Sequence, residues 1–292
     1  MAYIKLLRPK DWAKNLFLFV PLFFAGDLFD WSKILLVAVG VFCFCCVASS
    51  IYIINDYRDR EDDRKHPVKK FRPLASGVVS PTIALVMFAV LLLAGLVLAF
   101  YLDIPFAFLL AAYFVMNMGY SFGLKNVSIL DIFIVAIGFA IRVKAGGVLA
   151  DVDVTTWLNM MVFLLALFMA IGKRRDDVLL SESSGMHMRK VMKGYTVEFL
   201  NSLLALVSGI IIVAYFMYTL SDRMIAKHQT ARLFYTGVFV MAGIMRYLQI
   251  IFVQKDAGSP TKILFKDRFI QIVIILWIIS FYFILYIKHI EL

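Results

Sequence analysis

Apolar residues run through this chain in long blocks, not in the alternating or three-to-four spacing of a water-facing element. A membrane-crossing helix needs about 20 mostly apolar residues. Nine stretches approach that length, at residues 14–29, 32–56, 81–102, 105–122, 128–150, 155–172, 196–220, 231–253 and 269–288. Pro21 interrupts the first and Pro105 opens the fourth. The pattern predicts an all-α, polytopic membrane protein: nine transmembrane helices in a single domain over residues 1–292, with polar loops capping one face. The basic flank of the first run has the form of a signal sequence, but no small-residue cleavage site follows it, so the run reads as a retained span.

Composition agrees. Of 292 residues, 62% are hydrophobic and 17% charged, with a mean hydropathy of +0.87. A water-soluble globule of this size has too much surface to hide that much apolar material. Soluble enzymes, disordered proteins and nucleic-acid-binding modules are poor readings. The net charge of +10 therefore does not imply a nucleic-acid partner. Counted loop by loop, 22 Lys and Arg fall on the side of the N-terminus and 5 on the other. Basic residues are retained inside, so the expected orientation is N-terminus cytoplasmic and C-terminus outside, in the plasma membrane. Cys43, Cys45 and Cys46 share one apolar run without ligand spacing and read as packing residues.

The polar residues concentrate where runs end. After the second run the chain reads Asn55-Asp56-Tyr57-Arg58-Asp59-Arg60-Glu61-Asp62-Asp63-Arg64-Lys65-His66-Pro67. On a continuing helix, Asn55, Asp59 and Asp63 recur every fourth residue and share a face. Such oxygen donors suit Mg²⁺, with room left for water and phosphate. The competing reading is a solvated mixed-charge helix whose acids and bases pair locally. After the sixth run come Lys173-Arg174-Arg175-Asp176-Asp177. A cationic fork there suits a phosphate held directly, or is an ordinary inside-retention signal. Arg142, Lys144 and Arg246 lie within apolar runs, where an ionised side chain costs about 2.5–3.5 kcal/mol at the bilayer centre. Arg142 reads as a phosphate or carboxylate partner in a polar cavity. Lys144 snorkels outward, and Arg246 pairs within the bundle.

Asn55-Asp56-x-x-Asp59-x-x-x-Asp63 resembles the first aspartate-rich signature of the UbiA superfamily of intramembrane prenyltransferases. Further segments narrow the resemblance. They are Arg8-Pro9-x-x-Trp12-x-Lys14-Asn15, His66-Pro67-x-Lys69-x-x-Arg72-Pro73, Tyr120-Ser121-x-x-x-Lys125 with Asp131, and Gly172-Lys173-Arg174. Together they are similar to the decaprenyl-phosphate phosphoribosyltransferase branch. The resemblance implies transfer of 5-phosphoribosyl from phosphoribosyl pyrophosphate to a polyprenyl phosphate, with Mg²⁺ as cofactor. It implies Asp59, Asp63 and Lys173 as catalytic groups and Asn55, Asp59 and Asp63 as metal ligands. Substrate contacts implied are Lys14, Asn15, Asp56, His66, Lys69, Arg72, Tyr120, Lys125, Asp131, Arg142, Arg174 and Tyr195. Asp176 and Asp177 depart from that branch, which is less acidic there. The alternatives are a prenyltransferase moving an isoprenoid to an aromatic acceptor, and a transporter. A homo-oligomer is compatible with the sequence.

Overall fold

The computed structural model describes residues 2–65, 68–184, 194–253, 263–264 and 266–286. His66 lies outside the described residues. Helices make up every regular element among the described residues. They are α1 (Ala2–Leu7), α2 (Val20–Ala25), α3 (Trp31–Lys65), α4 (Pro81–Leu102), α5 (Ile104–Phe122), α6 (Leu130–Leu149), α7 (Thr156–Ser184), α8 (Val197–Thr219), α9 (Asp222–His228), α10 (Gly237–Phe252) and α11 (Arg268–Tyr286). Seven helical stretches are long and apolar enough to cross a membrane: α3 to α8 and Arg232–Phe252. The apolar helix within α11 is shorter, at Arg268–Ile284.

Among the described residues the nine expected spans do not form nine continuous helices of membrane-crossing length. The first run, expected at 14–29, is a 3₁₀ segment over Pro9–Phe19 followed by the six-residue α2. Pro21, within the first turn of α2, contributes no amide hydrogen to a longer helix. Gly26, at φ +90°, then turns the chain.

Start signals elsewhere behave as their chemistry requires. Ser80 caps α4 by accepting from the Ile83 amide, with Pro81 at the first helical position. Asp103 caps α5 through the Phe106 amide, and Thr196 caps α8 through that of Phe199. Each satisfies an amide the helix leaves open.

The chain divides into two compact units. The first holds residues 1–125 and 137–154, and α3 is its axis, packed against α1, the 3₁₀ segment, α4 and α5. Its main core includes Phe44, Val47, Phe106, Leu110 and Leu149. A second, smaller cluster of Leu6, Ile53, Leu74, Val79 and Ala84 packs α1 and the loop after α3 onto α3 and α4. That loop is therefore held by apolar burial as well as by charge. Cys43, Cys45 and Cys46 are buried and free, as packing residues should be. The second unit holds residues 126–136 and 155–292, with α7 packed on α8 and α10 on α8 and α11.

At 35 residues, α3 is about 52 Å long, against a hydrocarbon core of about 30 Å. Its last turns, with all the acids from Asp56 onward, therefore extend beyond the lipid. In α7, of 29 residues, the same rise puts Lys173 about 26 Å and Asp177 about 32 Å from Thr156, so Lys173 to Asp177 straddle the edge of the hydrocarbon core.

Candidate functional site

The polar residues of the first unit gather in two groups along the end of α3. In the first group, Lys125 Nζ lies 2.8 Å from both Asp59 carboxylate oxygens and 3.3 Å from Asn55 Oδ1. In the second, Arg72 Nη1 donates to Asp56 at 3.0 Å and to Asp63 at 2.7 Å. Arg8 donates to the same Asp56 oxygen. Asp56 and Asp63 are buried, at 2% and 3% exposure.

The expected face of Asn55, Asp59 and Asp63 is thus divided. Helix geometry explains the split. Four residues overshoot one turn by about 40°, so Asp63, eight residues on, stands about 80° from Asn55 but only about 20° from Asp56. Asn55 and Asp59 share one cation, and Asp56 and Asp63 share another. Among the described residues no three His, Cys, Asp or Glu side chains converge as a metal-holding group. Asn55 and Asp59 still fit Mg²⁺. Their oxygens, one turn apart, already converge on a single positive centre, and Mg²⁺ takes the rest of its octahedron from water and substrate phosphates. Asp63 does not join them in this arrangement.

Arg8 is a residue the sequence-based site list missed. It sits at φ 54°, a left-handed conformation that costs a non-glycine residue energy. Its guanidinium lies 4.9 Å from the centre of the Tyr52 ring. The signal available was Arg8-Pro9 directly before the broken first run.

Arg142 and Asn15 meet in the interior of the same unit. Arg142 donates to Asn15 Oδ1 at 2.9 Å, the Gly138 carbonyl at 2.9 Å and the Tyr113 hydroxyl at 2.7 Å. Its guanidinium carbon also lies 4.5 Å from the Tyr113 ring centre. Asn15 donates onward to Cys45 Sγ. These partners are neutral, not the phosphate or carboxylate expected, and they pin the 3₁₀ segment to α5 and α6. Lys14 lies at the surface, paired with Asp11 at 2.6 Å, and is not gathered with the acids. Lys69 and Tyr120 are half-buried. Lys144 is exposed, and Arg246 pairs with Asp267 at 2.8 Å.

The second unit holds its own cluster. Asp131, in the first turn of α6 and fully buried, accepts from Arg174 Nε at 2.5 Å and from the Tyr195 hydroxyl at 2.6 Å. The amide hydrogens at a helix start favour such a carboxylate. Arg174 also donates to Asp177 at 2.7 Å. Arg174 is therefore clamped between two carboxylates, not presented as an open fork. Asp177 was missed as its partner, although a three-residue spacing on a helix is a readable signal.

The Tyr195 oxygen in turn accepts from the Ile129 amide at 2.6 Å. Ile129 has φ 71°, a severe outlier for a β-branched residue. Burial, and then the bond to Asp131, push the Tyr195 phenol above its ordinary range, so at neutral pH it stays protonated and donates. Lys173 is exposed beside this cluster. Arg175 faces elsewhere, donating to Asn201 and to the Ile251 carbonyl.

Comparison with known proteins gives a consistent result. The sequence model of the UbiA prenyltransferase family matches residues 16–178. A decaprenyl-phosphate phosphoribosyltransferase of Mycolicibacterium smegmatis is 38% identical over 94% of this chain and 89% of its own length. One of Corynebacterium glutamicum is 34% identical over 94% of this chain and 84% of its own. Among solved structures, a UbiA homolog from Archaeoglobus fulgidus bound to GPP and Mg²⁺ aligns with a TM-score of 0.72 and 20% identity. That alignment covers 98% of this chain and 99% of the other, and establishes the fold.

Proposed function

Since the chain belongs to the UbiA prenyltransferase family and has a multi-pass membrane fold, we propose that it transfers 5-phosphoribosyl from phosphoribosyl pyrophosphate to a polyprenyl phosphate. The observation carrying this reading is the similarity, over nearly the full length of both chains, to proteins named decaprenyl-phosphate phosphoribosyltransferase.

In the reaction, a phosphate oxygen of the lipid bonds to the anomeric carbon of the ribose. The bond from that carbon to pyrophosphate breaks, and its electron pair leaves with pyrophosphate. The sugar passes through an oxocarbenium-like transition state. The nucleophile is already anionic, so no strong general base is required. What the protein supplies is alignment and charge for the leaving group. Asn55 and Asp59 are assigned to Mg²⁺, which when bound offsets charge building on pyrophosphate. Lys125 is assigned to the diphosphate itself, and Lys173 to a substrate phosphate. Arg8 and Arg72 hold Asp56 and Asp63, and so position the loop bearing Lys69. Tyr195 and Asp131 hold Arg174. The bias in basic residues supports a cytoplasmic N-terminus and an outer C-terminus in the plasma membrane.

Membranes containing the protein, given labelled phosphoribosyl pyrophosphate and decaprenyl phosphate, should yield ribose label extractable with lipid. Absence of that label, with turnover of a polyprenyl diphosphate onto an aromatic acceptor, overturns the reading in favour of prenyl transfer.

A further inference from the structure

Lys125 fills the point on which Asn55 and Asp59 converge. The end of α5 fixes it there. Gly123, at φ 145°, ends that helix, and Lys125 follows in a 3₁₀ turn, Leu124–Asn126. Arg58 of α3 donates to the Ser121 carbonyl and lies 4.1 Å from the centre of the Phe122 ring, tying the end of α5 to α3. The result is an ammonium with two carboxylate oxygens at 2.8 Å and an amide oxygen at 3.3 Å. Mg²⁺ bonds such oxygens at about 2.0–2.1 Å. An ammonium left among the same oxygens would then lie in near contact with it, where like charges repel strongly.

We propose that Lys125 is a tethered placeholder, occupying the divalent-ion position in the substrate-free protein and vacating it when a diphosphate takes up its ammonium. The inference rests on the reading that the ion sits at Asn55 and Asp59. Two consequences follow from the shared position. The bare ion binds weakly, because it must expel a bonded cation. Ion and diphosphate also favour one another, since each removes what opposes the other, and that coupling is reciprocal.

The test uses the full chain in detergent with Mn²⁺ alone, which takes the same oxygen octahedron as Mg²⁺. Free Mn²⁺ is read by its paramagnetic resonance, so no turnover is involved. Lys125→Met should tighten Mn²⁺ binding about tenfold or more, within the usual span of such couplings, and Lys125→Ala should do the same. Arg60→Gln is the charge control, since Arg60 pairs with Glu61 and lies one residue past Asp59. It should move affinity by less than about threefold, as a screened surface charge does. Asp59→Asn should lose Mn²⁺ binding. If Asp59→Asn loses the ion but neither Lys125 variant tightens it, the placeholder is wrong and the metal assignment stands. Equal tightening by Arg60→Gln overturns the placeholder too, since bulk charge then explains the effect. If wild type and Asp59→Asn bind Mn²⁺ alike, the metal assignment fails and takes the placeholder with it.

Discussion

Replacing Tyr195 by Phe removes a single oxygen from the second unit's cluster and leaves the ring in place, including its stacking on Phe199 at a 6.4 Å centroid distance. That oxygen bonds the Ile129 amide and the Asp131 carboxylate, each at 2.6 Å. Tyr195 is 5% exposed and Asp131 0%, so water does not readily replace it. A buried polar group stripped of its partner costs about 1–3 kcal/mol. Ile129 is itself 39% exposed and its amide can turn to water, so the loss is that of the one buried bond to Asp131, about 1–3 kcal/mol, or about fivefold and more in the unfolding equilibrium at about 1.4 kcal/mol per tenfold. Titration with SDS in mixed micelles, followed by circular dichroism, measures it. A double-mutant cycle with Asp131→Asn should show a coupling of about 1–3 kcal/mol, because the residues share one hydrogen bond. A Tyr195→Phe protein within about 0.5 kcal/mol of the parent, the range of a neutral surface change, would refute the reasoning. So would additivity with Asp131→Asn.

Four further outcomes follow from the geometry. Asp63→Asn removes one of the two carboxylates on Arg72, so hydrogen exchange should quicken over residues 68–80, while Mn²⁺ affinity stays within about twofold because Asp63 is not beside Asn55 and Asp59. Loss of Mn²⁺ binding would instead make Asp63 a ligand. Gly146→Ala places a methyl carbon 1.9 Å from the Leu18 carbonyl oxygen, forcing backbone to move at a cost of about 1–3 kcal/mol or more. Gly209→Ala, with nothing within 4 Å, should leave the same titration unchanged or slightly improved. The hydrogen bond from Arg246 holds the Asp267 carboxyl below its ordinary value of 3.8. The stability this contributes is present above that value and lost as pH falls through the depressed one, so Arg246→Gln should flatten the acid limb of a stability profile.

Long uniform runs were the most legible part of the sequence. The stretches 81–102 and 196–220 become α4 and α8 almost residue for residue, because caps and prolines mark their ends locally. The break in the first run was not legible because hydropathy does not sense backbone contact. The 3₁₀ segment passes so close to Gly146 that no Cβ fits between them, and only folding brings those residues together. The acids lie at the end of α3 as their spacing implies, but their side chains pair in two groups and not along one face, since a four-residue repeat drifts around a 3.6-residue helix. Their cations were less legible still. Arg8 lies 48 residues from Asp56, and Lys125 lies 66 from Asp59. Separations of that size follow from topology, which local spacing does not encode.

That pairing bears on selectivity. Asp56, Asp59 and Asp63 each already hold an internal cation, so these carboxylates and their cations form a paired set within the basic end of α3. On the proposed reading, a bare phosphate arriving there would draw Lys125 away and leave Asp59 without a counter-charge. A bare metal ion on Asp59 would leave Lys125 without one. Either exchange strands one charge in a half-buried setting, where an unpaired ion is costly. On the proposed reading, a metal bound to a diphosphate supplies both signs at once and strands neither. The chain's overall excess of positive charge is then a consequence of membrane insertion, and recognition depends on matching a ligand that carries both charges at the spacing of Asp59 and Lys125.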